Sequence, residues 1–298
     1  MKFSEIYRKS KGEGTLIEDA EIAQFSILRT AKKNSVVYVR DEKYLKIASI
    51  NKNISFIIAH KELKGKISDV TGYLLCDEPE AAFYDLRRIF LLMTFQESDT
   101  VISVNSFISN SAVIAKKNVF IGENSYIDDN VVIKSGVRIG DNVTVSAGSI
   151  IGGEGLMVQR KKPYNQIVKH DGSVIINDNV VIQTGCNIDL GIFGWDTVVG
   201  KGSILDSHVH VAHGVSIGEN VIIAAKATLS GFVIIENNAF IGPHSTIAPF
   251  LRVGTNSKVS IGSTVVGDVP DNETFTGYFA RKHREFLKTT LYTRRASR

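Results

Sequence analysis

Asp206, His208, His210 and His213 fall within the ten residues DSHVHVAHGV. An imidazole can ligate a metal or, with an unperturbed pKa of about 6.5, accept a proton near neutral pH. The three histidines spell H-x-H-x-x-H, which invites a zinc reading. Successive residues of a strand point to opposite faces, however, and His213 falls beyond a corner, so the three do not converge within one chain. No metal is expected, and the chemistry left to His213 is proton transfer.

The strand and corner follow from the surrounding pattern. From Val199 to Val265 every sixth residue is aliphatic, a period that belongs neither to a lone strand nor to a helix. The same period runs from Ile121 to Ile151 and from Ile176 to Ile188. Glycine often follows the aliphatic position, as at Gly122, Gly140, Gly200 and Gly218, so each unit reads as a short strand plus a turn. Three units close one triangular coil, and residues 18 apart then stack at about 4.8 Å. The chain is predicted to be mainly β, a parallel solenoid whose inward aliphatic columns supply a core that no single repeat could form. Periodicity does not set the hand of the coil, and right-handed crossovers are the general default.

Two segments break the period. Gly152 to Ser173 is polar and irregular, and DLGIFGW (Asp189 to Trp195) sets Val199 eleven positions after Ile188. Both read as loops extruded from the coil, where binding function commonly resides.

Residues 1–100 show no six-residue period. TLIEDAEIAQFSIL, SVVYVR, SFIIAH and GYLLC read as strands, KYLKIAS as a short helix and EPEAAFYDLRRIFLLMTF as a longer one. The division expected is a small α/β domain over 1–100, a coil over 101–268 and a basic helical segment over 269–298. The net charge of +4 is uneven, because residues 281–298 carry seven Lys and Arg against Glu285 alone. That segment is therefore +6 and the rest −2, which suits an acidic partner or a solvated tail. No aromatic platform or reader motif points to nucleic acid. No apolar run reaches 18 residues and no signal peptide is evident, so a soluble cytoplasmic protein without a transmembrane segment is expected. Cys76 and Cys186 alone support neither a disulfide framework nor a cysteine metal site.

Three stretches, SVVYVRDEKYLKIASI, ILDSHVHVAHGVSIGENVIIAA and TGYFARKHREFL, occur in an order that resembles the UDP-3-O-acylglucosamine N-acyltransferases of lipid A synthesis, within the hexapeptide-repeat acyltransferases. The resemblance implies a left-handed parallel β-helix, a nucleotide-recognising first domain, a C-terminal helix and a homotrimer with active sites at the seams between coils. It implies transfer of an acyl group from a thioester, a 3-hydroxyacyl carrier protein, to the amine of a nucleotide-activated amino sugar in lipid A or surface polysaccharide synthesis, with no bound cofactor. Acidic acyl carrier protein would then meet the basic C-terminal segment.

By the family motif His213 is the general base and Asp206 the carboxylate that fixes its tautomer. Gly231, one 18-residue coil above His213, offers its N–H to the oxyanion. Tyr38, Asp41 and Tyr44 stand where the family stacks its base with a Phe-x-x-Asn-x-x-Tyr pattern, keeping two aromatic planes and replacing the amide by a carboxylate. Phe250 occupies the place of a second family histidine, Leu190 that of the arginine of Asp-Arg-Gly, and Glu154 to Met157 that of an Asp-Gly-Phe-Gly loop. These departures leave open an acetyl-CoA- or acyl-CoA-dependent N-acyltransferase on a UDP- or dTDP-linked 3- or 4-amino sugar. His244, two coils above His208, is either a substrate contact along the same edge or a solvent-exposed residue. The remaining class is a sugar-nucleotide-binding scaffold without chemistry, against which the set Asp206, His213 and Gly231 speaks.

Overall fold

The structure is a computed structural model that describes residues 1–288 except Lys11, Glu13, Asp69, Lys161, Lys162, Tyr278, Phe279, Arg281 and Phe286. Its first hundred residues form a five-stranded sheet from β1 (Thr15–Glu18), β2 (Gln24–Phe25), β3 (Ser35–Val39), β4 (Ile54–His60) and β5 (Gly72–Cys76), in the order β1-β5-β4-β3-β2. Only the β1–β5 pairing is antiparallel. The central strands are buried on both faces, as their unbroken Val and Ile runs require. Val37, Ile57 and Ala59 face α2 (Glu42–Ile50) through Leu45 and Ala48. Val36, Phe56 and Ile58 pack with α1 (Phe3–Tyr7) and α3 (Pro79–Thr94), and this layer runs on into Val168, Ile192, Phe193 and Phe232 of the coil. The short helix α1 lacks the length for a sequence signal; Phe3, stacked 3.7 Å from Phe56, anchors it.

Among the described residues the coil runs from the strand Val101–Ile102 to the strand Thr274–Phe275, in three parallel sheets of nine, eight and eight strands. Partners are 18 residues apart, as Val211 with Leu229 and Ile217 with Ile235. The aliphatic residue of every unit from Val199 to Val265 is at most 3% exposed. Each fully buried Val, Leu or Ile contributes roughly 1.5–3 kcal/mol. Coil pairing continues past residue 268, because Val269 bridges to Val253 and Thr274–Phe275 pairs with Lys258–Val259. At the C-terminus Glu285 N–H donates to the Lys282 carbonyl, while Arg281, Arg294, Arg295 and Arg298 of the basic segment lie outside the described residues.

Both breaks leave the coil and return in register: Ile151 pairs with Ile188, and Ile188 with Val211. The longer one carries a two-stranded antiparallel hairpin, Val158–Gln159 with Gln166–Ile167. The shorter one moors the first domain. Ser26 Oγ donates to the Phe193 carbonyl (3.2 Å), Lys32 Nζ to that of Gly194 (2.9 Å), and Trp195 Nε1 to that of Thr30 (2.8 Å). Arg87 of α3 fixes the end of the longer loop. Its guanidinium pairs with Asp171 at 2.8 Å, donates to the Lys169 carbonyl at 2.9 Å and lies over the ring of Phe193.

At the coil's corners the left-handed backbone is taken mostly by asparagine, whose short polar side chain tolerates it. Phe193, Phe232 and Phe250 adopt it too, with φ of 58°, 60° and 64°. A bulky residue there is an outlier, held in place by what surrounds it. All three lie along the edge that carries the site.

Candidate active site

His213 follows the strand His210–Val211 and is 8% exposed. Its Nε2 faces the next coil, where a methyl group on Gly231 would lie 2.5 Å from that nitrogen. Glycine is thus what lets the backbone approach the imidazole tip. The flanking N–H groups of Ser230 and Phe232 donate within the coil, to Ile247 and His213 carbonyls, whereas the Gly231 N–H donates to no described residue. Beside the imidazole stands Phe232, edge-on at 5.3 Å, then Phe250 stacked on Phe232 at 5.1 Å and 6°, then the Arg29 guanidinium 4.6 Å over Phe250. The aromatic ladder joins the first domain to the imidazole. Phe250 therefore packs in this ladder rather than offering a polar group.

On the other side of the ring the longer loop closes over His213. A side chain on Gly155 would meet His213 Nδ1 at 2.7 Å, Asp189 Oδ2 at 2.8 Å and His170 Nε2 at 3.2 Å. These polar atoms converge on the room that the glycine's missing side chain leaves. His170, 3% exposed, lies edge to face with His213 at 5.3 Å, and neither of its ring nitrogens nor His213 Nδ1 bonds to a described residue. Burial pushes His213 down to about 4, helped by the neighbouring His170 and His210. Burial likewise pushes His170 to about 4, opposed by the Val168 backbone and helped by Arg87. Both rings are neutral at pH 7, the state a proton acceptor needs.

Asp189 is 3% exposed, and burial raises its carboxyl against the lowering effects of His210, Asn187 and Lys134. It accepts from Asn187 Nδ2 at 2.9 Å and sits 3.8 Å from His210 Nε2.

The orienting role expected of Asp206 needs correction. Its oxygens accept the N–H groups of Ser207 (2.7 Å) and Ala225 (3.1 Å) at a coil corner, and His213 Nδ1 bonds to no described residue, Asp206 included. Within the chain the carboxylate brought to the Nδ1 side of His213 is that of Asp189. Sequence reasoning passed over both Asp189 and His170. Asp189 opens the DLG break, a signal that was available; His170 lies in aperiodic loop and has none.

His208 is exposed at a corner with its ring against Gly185, and His210 points toward Asn187 and Asp189. His244 is exposed at the corner two coils above His208, also in the left-handed region, and has no place beside His213. In the first domain Tyr38, Tyr44, Arg40 and Glu80 line a cleft of about 670 Å³ whose opposite wall is Val158 and Arg160 of the loop hairpin. Tyr38 Oη donates to Glu80, which also pairs with Arg40. Asp41 is not aimed into this cleft as a base-reading group. It caps α2, accepting the Tyr44 N–H at 3.1 Å, and so sets the position of that tyrosine.

The coil matches family profiles described as bacterial transferase hexapeptide (six repeats), over 118–153 and 196–231, and hexapeptide repeat of succinyl-transferase, over 232–266. A Helicobacter pylori (strain ATCC 700392 / 26695) protein named UDP-3-O-acylglucosamine N-acyltransferase is 30% identical over 254 residues, 78% of this chain and 75% of that one. The chain belongs to the UDP-3-O-acylglucosamine N-acyltransferase family. A relative of the same name from Caulobacter vibrioides (strain NA1000 / CB15N) is 42% identical over 157 residues, which is 53% of this chain and 46% of the relative's length. The chain thus spans about half of the Caulobacter protein and three quarters of the Helicobacter one. Among solved structures, a Francisella novicida UDP-N-acetylglucosamine acyltransferase shares the coil, with a TM-score of 0.50, 27% identity and coverage of 65% and 72% of the two chains. The fold is the left-handed parallel β-helix expected for this family of hexapeptide-repeat proteins.

Proposed function

We propose that the chain is an N-acyltransferase that moves an acyl group from a thioester to the amine of a nucleotide-linked amino sugar, UDP-3-O-acylglucosamine or a close analogue, in lipid A synthesis. The observation that carries this is the pairing of a buried, neutral His213 with the Gly231 N–H directly above it. The amine attacks the thioester carbonyl, and His213 Nε2 takes the proton that the nitrogen must lose. The Gly231 N–H faces the developing oxyanion, a contact worth about 3–4 kcal/mol in comparable sites. Collapse of the tetrahedral intermediate breaks the C–S bond and releases the thiol, to which the proton returns.

The first domain, residues 1–100, holds the nucleotide. Tyr38 and Tyr44 give two aromatic faces, and Arg40 and Arg160 two guanidiniums suited to phosphate oxygens. The donor in this reading is a 3-hydroxyacyl carrier protein met by the basic C-terminal segment, in the cytoplasm, and the working unit is a homotrimer. No helix of the described residues is long and apolar enough to cross a membrane.

The purified protein should be offered hydroxyacyl carrier protein and short-chain acyl-CoA, each with UDP- and dTDP-linked amino sugars. Turnover of UDP-3-O-acylglucosamine with the carrier-protein donor, lost in His213→Ala with an unchanged melting temperature, supports the proposal. Undiminished turnover in His213→Ala removes the base assignment, and turnover with acetyl-CoA alone removes the lipid A assignment.

A further inference from the structure

His213 Nε2 is committed to the reacting side by its contact with Gly231, so the Nδ1 must carry the ring's proton when the imidazole is neutral. When Nε2 takes a second proton, the Nδ1–H needs an acceptor, because a buried imidazolium without one is costly. His213 Nδ1 has no partner among the described residues, and Asp206 bonds to the corner N–H groups of Ser207 and Ala225 instead. The groups facing His213 are Phe232 from the coil above, Gly155 and His170 from the longer loop, Asp189 from the coil below and His210 from its own coil. Two acceptors stand there without a hydrogen-bond partner among the described residues: Asp189 Oδ2, 2.8 Å from the point at Gly155, and His170, the one imidazole on that side, whose two ring nitrogens are both buried. His170 is held there from outside the coil, since Arg87 grips the Lys169 carbonyl on one side of it and the Asp171 carboxylate on the other.

Building on the assignment of His213 as base, we infer that His170 is its positioning residue, accepting the Nδ1–H of His213 on Nε2, with the Asp189 carboxyl beside the pair. His213 Nδ1 and His170 Nε2 lie 2.7 and 3.2 Å from one point at Gly155, so both border the room that the glycine leaves. The proton on Nδ1 stays there throughout; the proton that moves is the one taken and returned by Nε2. The extruded loop thus supplies the second imidazole of the centre, in a chain whose coil has phenylalanine at position 250.

The test compares wild type, His170→Phe and His170→Gln in turnover of the donor–acceptor pair found active above, with melting temperatures and, on selectively ¹⁵N-histidine-labelled protein, the protonation of each His213 nitrogen. Expected are a kcat lowered roughly 10- to 100-fold in His170→Phe with KM within about twofold, and partial recovery in His170→Gln, which retains an acceptor. In the wild type the proton should reside on Nδ1. A kcat within about twofold of wild type in His170→Phe, while His213→Ala is dead, overturns the inference and leaves the base assignment standing. Active His213→Ala overturns the base assignment itself. If the phenylalanine variant does not fold, the glutamine variant and the wild-type spectrum decide: a His213 proton on Nε2 overturns the inference. So does stoichiometric zinc that is bound in the wild type and lost in His170→Phe, because it would make His170 a ligand.

Discussion

Gly231 lies against the Nε2 atom of His213, so close that a single methyl group would come within 2.5 Å of the nitrogen. Gly231→Ala should therefore push the imidazole aside and cover the N–H that faces the reacting carbonyl. The expected outcome is a loss of about 10²-fold or more in kcat, read by steady-state turnover, with the coil intact by circular dichroism.

Arg87 is 3% exposed and is the cation beside Asp171, whose carboxylate is largely buried. Arg87→Met leaves that carboxylate sequestered without a counter-charge and should cost about 3–5 kcal/mol in denaturant unfolding. Asp171→Asn in the same chain should return part of the loss. Activity should fall as well, because residues 169–171 hold His170.

Stability should depend on pH through His170 and His213. Their ordinary pKa of 6.5 applies to the unfolded chain and about 4 to the folded one. Between those values the unfolded chain binds more protons, so stability is full above about 6.5, falls as the pH drops toward 4, and levels off below for these two groups. Melting curves from pH 8 to 4 should show the decline, and it should shrink when both histidines are replaced by phenylalanine.

The cleft of the first domain predicts a separable effect. Arg160→Ala should weaken binding of UDP by about tenfold in titration calorimetry, since a guanidinium on phosphate is among the stronger hydrogen-bonding arrangements. Tyr38→Ala should weaken it also, and neither should change the protonation of His213.

Phe232 and Phe250 both adopt a left-handed backbone that their side chains disfavour. Phe250→Gly relieves the backbone but removes the stack on Phe232 and the Arg29 contact. Phe250→Ala removes the same contacts without the relief. The alanine variant should melt lower than the glycine one, a difference of about 1 kcal/mol.

What could be read from the chain depended on whether a residue obeyed the period. Val199 to Val265 declared their burial because each recurs at a fixed interval against one core. The same interval places Gly231 above His213. Motif spacing says which residues recur together and not which groups a side chain bonds: Asp206 accepts the corner N–H groups of Ser207 and Ala225, and none of its bonds in the structure reaches His213. His170 was invisible because its place depends on Arg87, in another domain, gripping its neighbours across 82 residues of sequence. Phe250 was recognised as a substitution, but its partners Phe232 and Arg29 belong to a ladder that only packing reveals.

A coil of equivalent turns has no origin: slid by one repeat, it presents nearly the same surface. The bulge at Phe193–Trp195, tied to Ser26, Lys32 and Thr30, gives this one a zero mark. Every later turn is counted from that knot, so the span from Tyr38 to His213 is a fixed gauge. Under the proposed function, a substrate that occupied both ends would be selected by its length before any atom reacted.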